Sequence, residues 1–219
     1  MSDPRRRVLD RAYRRLSPRY GPPVWKSEGP AIDELILTVL SQHTNDRNRD
    51  TAYKQLRKEF PTWADVDRAP HAAVAQAIRA TGLSNGKARS IQGILKHLRH
   101  ERGNYSLQFL AKMETEAARQ YLRSLPGVGP KTTACVLLFC FGMPVFPVDT
   151  HIHRVATRLG VLPKGTTAEQ AHEILAELIP PARYYPMHLM LIWHGRDTCH
   201  AQTPECAVCP LRTFCPGRQ

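Results

Sequence analysis

Apolar side chains recur along most of the chain at intervals of three and four, the spacing of one helical face. Ile32, Leu35, Ile36, Val39 and Leu40 give the clearest stripe. Before it, Val8, Leu9, Ala12, Tyr13 and Leu16 alternate with arginines, so Met1–Leu16 reads as an amphipathic helix. Ala52, Leu56 and Phe60 predict the next, with Asn45 as its cap. Val74, Ala77 and Ile78 mark a helix that Gly82 stops. Ile91, Ile94, Leu95 and Leu98 mark one ending near Gly103. Ala117, Tyr121, Leu122 and Leu125 form another, broken by Pro126, and Pro130–Phe141 a further one that ends at Gly142. Thr150–Leu159 follows, with Asp149 as N-cap and Gly160 past its end. Thr166 and Glu169 predict a capping box for the next helix, and Tyr184–His194 is closed by Gly195. No run of strand-like alternation is present, so the expected fold class is all-α.

Two proline-bearing stretches, Ser17–Pro30 and Gly142–Pro147, look like domain edges. They predict a six-helix domain over 26–143 and a second helical domain built from 1–25 plus 144–219. The 219 residues suit one large or two small domains with an ample core. A hydrophobic share of 42% excludes a disordered chain. The longest apolar run, Ala134–Phe141, falls far short of the ~20 residues that span a bilayer, so no membrane partner is expected. Met1–Leu16 lacks the apolar stretch of a signal peptide.

Charge alters this picture. Lys and Arg number 31 against 19 Asp and Glu, a formal net charge of +12. Composition alone fits a solubility charge as well as a polyanionic partner such as nucleic acid. The cysteines divide as well. Cys135 and Cys140 sit in the apolar run and are expected in the core. Cys199, Cys206, Cys209 and Cys215 crowd together, with six, two and five residues between neighbours. That crowding favours a metal site in a reducing compartment over a disulfide framework. Four thiolates suit zinc or an iron–sulfur cluster.

Candidate chemistry gathers around Leu125-Pro126-Gly127-Val128-Gly129-Pro130-Lys131, between two predicted helices. Gly127 and Gly129 permit positive φ and close backbone approach, and Pro130 is placed to begin a helix. Backbone N–H groups of Gly127, Val128 and Gly129 at a helix N-terminus would grip a phosphate without reading a base. Lys131 falls in the first helical turn, where the dipole disfavours an ammonium, so it is a candidate amine nucleophile. Asp149, as an N-cap, is biased the opposite way, toward a fixed carboxylate.

Leu125–Ala134 resembles the helix-hairpin-helix of the DNA glycosylase superfamily that ends in a Gly/Pro-rich loop and a catalytic aspartate. Val148-Asp149-Thr150-His151, 18 positions after Lys131, resembles that aspartate motif. The cysteine spacing resembles the [4Fe–4S] loop of the endonuclease III branch. The three motifs occur in the family's order along nearly the whole chain. The resemblance implies two helical lobes with the active site in the cleft between them. It implies that Lys131 attacks the sugar C1′ of a flipped nucleotide and that Asp149 assists it. β-Elimination from the Schiff base then cuts the strand. It further implies a lesion pocket at Ser41, Asp46 and His151, wedges at His43 and Leu83, a DNA contact at Arg154, and a cluster held by the four cysteines. His43 departs from the glutamine often found there and Arg123 from an acidic residue. The loop His200–Glu205 carries no Lys or Arg.

The expectation is therefore a base-excision-repair glycosylase and AP lyase acting on oxidised pyrimidines in damaged double-stranded DNA. It would be a monomer in a prokaryotic cytoplasm, associated with the nucleoid. Its rivals are a mismatch-type, adenine-specific or mainly lyase member of the same superfamily, and a non-catalytic DNA-binding module. The adenine enzymes usually carry a further C-terminal domain, whereas this chain stops four residues after Cys215.

Overall fold

The helical periodicity becomes helix in the structure, a computed structural model that describes residues 3–27 and 29–218. Met1 and Ser2, which begin the expected N-terminal helix, lie outside the described residues. The α-helices are α1 (Pro4–Tyr20), α2 (Ala31–Ser41), α3 (Asp46–Glu59), α4 (Trp63–Arg68), α5 (His71–Ala77), α6 (Ser84–Arg102), α7 (Thr115–Ser124), α8 (Pro130–Phe141), α9 (Thr150–Arg158), α10 (Ala168–Leu178) and α11 (Tyr184–Asp197). Among the described residues there is no strand, and no helix is long and apolar enough to cross a membrane.

The chain divides into two compact units. One comprises Ser27–Phe141; the other joins Met1–Lys26 to Gly142–Gln219. In the first, α2 packs on α8, α3 and α6. Leu35, Ile36, Val39 and Leu40 are fully buried there. Truncating any of these leucines to alanine costs about 2–5 kcal/mol. Helix α8 is buried from Thr132 to Leu138 and again at Cys140. A helix apolar on every side belongs at a centre, and that explains the apolar run. In the other unit α9 lies along α11, and α1 packs on α10 and α11. Leu9, Ala12 and Leu16 form the buried stripe of α1. Asp10 pairs with Arg183 at 2.6 Å, and the Arg11 guanidinium lies 4.3 Å from the ring centre of Phe214.

Several boundaries differ from expectation. Helix α1 runs on through Pro18 to Tyr20 rather than breaking at Ser17. Helix α4 has no counterpart in the expected set. It is only six residues long, too short for a period to register, and Thr62 starts it through a capping box with Asp65. The box before α10 uses Thr167 and Gln170, one position beyond Thr166 and Glu169. Thr166 instead donates its hydroxyl to Pro163 O at 2.7 Å. Helix α11 continues past Gly195 to Asp197. A Cβ at 195 would stand 2.8 Å from the Cβ of His151, so this glycine serves a close crossing of α9 and α11.

Candidate active site

The hairpin between α7 and α8 is a tight turn. Val128 N–H donates to Leu125 O at 3.2 Å, with Pro126 and Gly127 between them. Gly127 has φ +73°, the left-handed value that the third position of a type II turn requires. A Cβ there would also meet Ser90 Oγ and approach Ser90 Cβ to 2.8 Å. Gly129 does not adopt positive φ, contrary to expectation. Its carbonyl accepts from Thr133 N as α8 begins at Pro130. The first N–H groups of α8 have no preceding helical carbonyl to bond, so the turn offers donors and the positive end of a dipole together. Val128 is buried under the turn and Lys131, in the first turn of α8, is half-buried.

Two loops of the same unit carry His43 and Leu83. Among the described residues these are the only non-glycine positions with positive φ, +52° and +48°. An L-residue held left-handed costs roughly 1–2 kcal/mol, and such strain concentrates at functional sites. Leu83 is 68% exposed rather than tucked into the core, and His43 is exposed too. Gln42, which no sequence signal singled out, donates through Nε2 to Gly127 O at 3.1 Å and to Thr132 Oγ1 at 3.4 Å. It ties the His43 loop to the hairpin. Ser41 donates its hydroxyl to Thr38 O at 2.7 Å, and Asp46, at the start of α3, pairs with Arg49 at 3.0 Å.

In the other unit Asp149 caps α9, its Oδ1 accepting from Ile152 N at 2.8 Å. The segment leading to it is held by two histidines. His172 Nδ1 lies 3.0 Å from Phe146 O, and His188 Nδ1 lies 2.9 Å from Pro147 O. A carbonyl only accepts, so both rings carry their proton on Nδ1. His151 packs against Gly195, and its Nδ1 lies 3.0 Å from Arg154. Arg154 spends its other contacts on Gly195 O (2.7 Å) and Cys199 O (2.9 Å). The side chain expected at a DNA phosphate is thus also a brace between α9 and the cysteine loop.

Cys199, Cys206, Cys209 and Cys215 line one cavity with Arg158, His194 and Leu211. Burial pushes the Cys209 and Cys215 thiols up, and the charges of neighbouring cysteines push the same way. Among the described residues, no three His, Cys, Asp or Glu side chains converge tightly enough for a single metal ion. Four cysteines lining one cavity are a donor set that suits zinc or an iron–sulfur cluster. Donors already face the sulfurs, Arg158 to Cys199 Sγ at 3.2 Å and Leu211 N to Cys209 Sγ at 3.4 Å, and His194 Nε2 lies 3.6 Å from Cys209 Sγ. Burial drops the His194 pKa to about 4, so its ring is neutral. Arg158 also donates to His200 O and Ala201 O, pinning the loop. Its place one turn after Arg154 on α9 was the available sequence signal for that role.

Residues 36–181 match the model of the HhH-GPD superfamily of base excision DNA repair proteins. The chain is 36% identical over 196 residues to a protein named as a DNA glycosylase in Arabidopsis thaliana, covering 85% of this chain and 67% of the relative. It is 32% identical to endonuclease III of Sulfolobus acidocaldarius, over 83% of this chain and 79% of that one. The structure is similar, with a TM-score of 0.84 and 28% identity, to endonuclease III trapped as a covalent intermediate on DNA. That match covers 99% of this chain and 97% of the other.

Proposed function

The chain belongs to the endonuclease III family of the HhH-GPD superfamily, base excision repair DNA glycosylases with AP lyase activity, and on that premise we propose that it removes oxidised pyrimidines through Lys131 and Asp149. The observation that carries this reading is Lys131 itself, half-buried in the first turn of α8 behind a turn of phosphate-binding shape. The hairpin grips the backbone beside the lesion without regard to sequence. The left-handed tips at His43 and Leu83 enter the stack as the damaged nucleotide leaves it, and the family resemblance assigns Ser41, Asp46 and His151 to the base.

The Lys131 amine then gives its lone pair to C1′. The glycosidic bond breaks, and its electrons leave with the base, which takes up a proton. Asp149, fixed by its cap bond, accepts a proton from the attacking amine and offsets positive charge on the sugar. Ring opening yields the Schiff base. Loss of a C2′ proton drives its electrons into a new C2′–C3′ double bond, and the C3′–O bond breaks with the 3′ phosphate as leaving group. Cys199, Cys206, Cys209 and Cys215 would hold a [4Fe–4S] cluster, which would supply covalent ties that stiffen the loop. In this role the protein acts as a monomer on damaged duplex DNA, which in a prokaryote means the cytoplasmic nucleoid.

Duplexes carrying one lesion each, scored separately for base release and strand scission, test the reading. Oxidised pyrimidines should lead in both. Lys131→Gln should lose scission and borohydride trapping while still binding an abasic duplex. A trapped adduct in K131Q, or a wild-type protein that never nicks abasic DNA, would defeat it.

A further inference from the structure

Lys87 is 4% exposed, an uncommon setting for an ammonium. Its Nζ donates to Leu40 O at 2.8 Å and to Thr81 O at 3.1 Å. Leu40 lies near the end of α2, three residues before His43. Thr81 ends the short 3-10 turn Arg79–Thr81, two residues before Leu83. Both carbonyls close helical segments, where the last C=O groups lack partners of their own, and a cation there also meets the negative end of α2. Burial pushes the Lys87 pKa below the usual lysine range, as expected for a charge held by protein carbonyls rather than by water.

Each strained tip therefore grows out of a segment end that the same ammonium holds. Leu40 and Thr81 are 41 positions apart in sequence, and the ammonium joins them directly, in addition to the packing of α2 on α6. Gln42 extends the tie to the hairpin through Gly127 O and Thr132 Oγ1.

We propose that Lys87 is a positioning residue that fixes the His43 and Leu83 tips at one separation, so that they enter duplex DNA as a single rigid fork. The proposal rests on the glycosylase and lyase reading above. Freed from the tie, the tips would move independently. The loss would fall on the step that opens a base stack, leaving the sugar chemistry intact.

The test compares Lys87→Met with the wild-type protein in single-turnover scission of one abasic site, in a duplex and in a single strand. 2-Aminopurine beside the site reports unstacking. A single strand has no opposing base and no gap to fill. K87M should lose about tenfold on the duplex, with a diminished fluorescence rise, because opening the stack is the step that the fork supports. On the single strand it should stay within about twofold, the scatter of an ordinary distant substitution. Lys87→Gln keeps one donor in a similar volume, should fall between the two, and carries the same comparison if K87M does not fold. In an L83A background K87M should cost less, since one tip is already gone. Equal losses on both DNAs would reduce Lys87 to general stability, and an undiminished duplex rate would remove it from the reaction. A wild-type protein that cuts neither DNA would instead defeat the catalytic reading, and the fluorescence comparison would still decide the fork.

Discussion

At the scale of single residues, capping and chemistry are separable at Asp149. Asparagine caps a helix as well as aspartate does, so Asp149→Asn should leave stability within about 0.5 kcal/mol. On the proposed mechanism it removes the charge that offsets the developing cation, so base release should fall steeply. Asp149→Ala should also lose about 1 kcal/mol of cap. Thermal melts run beside single-turnover assays resolve the two effects, and equal melts for the two variants would contradict the cap bond. The placing of Lys131 in a first helical turn, the Asp149 cap and the gathering of the four cysteines were legible in the sequence because they follow from local spacing. Lys87 and Gln42 were not. Lys87 finds its carbonyl at Leu40, 47 positions back, and Gln42 finds Gly127 85 positions ahead. Lys87 stands one turn before Ile91 on the buried face of α6, but a polar residue does not register in an apolar stripe, and a distant partner leaves no periodic mark.

At the scale of elements, α6 and α7 are joined by a titrating contact. Tyr121 donates its hydroxyl to Glu101 Oε2 at 2.6 Å, and His97 Nε2 lies 3.2 Å from the same carboxylate. The Tyr121 bond holds the Glu101 carboxyl below its ordinary value of 4.5. A depressed folded pKa means that the unfolded chain takes up the proton first. The contribution is therefore present above pH 4.5 and lost as the pH falls through the folded value. Burial, reinforced by Glu101, raises the Tyr121 pKa, so its share persists below the ordinary tyrosine range and is lost only in strong alkali. Tyr121→Phe should lower Tm near neutrality, and the gap to wild type should narrow below pH 4.5. A gap constant with pH would mean that the pair carries no linkage. Stripes such as that of α2 were readable because they span several turns. The register of the α10 cap was ambiguous because Thr166 and Thr167 each have a partner of the right type three positions on. Gly195 was misread because sequence does not distinguish a helix stop from a helix crossing.

At the scale of the whole molecule, the +12 charge predicts steep salt dependence of DNA binding. The logarithm of affinity should fall linearly with the logarithm of salt, by about 0.9 per phosphate neutralised. A flat titration would remove the backbone grip. Arg158 gives a second prediction, since it donates to Cys199 Sγ, His200 O and Ala201 O. Arg158→Met should shed iron to a chelator several-fold faster than wild type, followed by visible absorption, with scission by the loaded protein little changed at first. Unaltered iron loss would mean that the cavity needs no such clamp.

The discontinuous unit sets an order on the making of the protein. Residues 27–141 leave the ribosome already supplied with their packing partners, whereas the apolar stripe of α1 is answered only by α10 and α11, which are made after that whole unit. Until they emerge the stripe has no native mate, so a chaperone has its opportunity there.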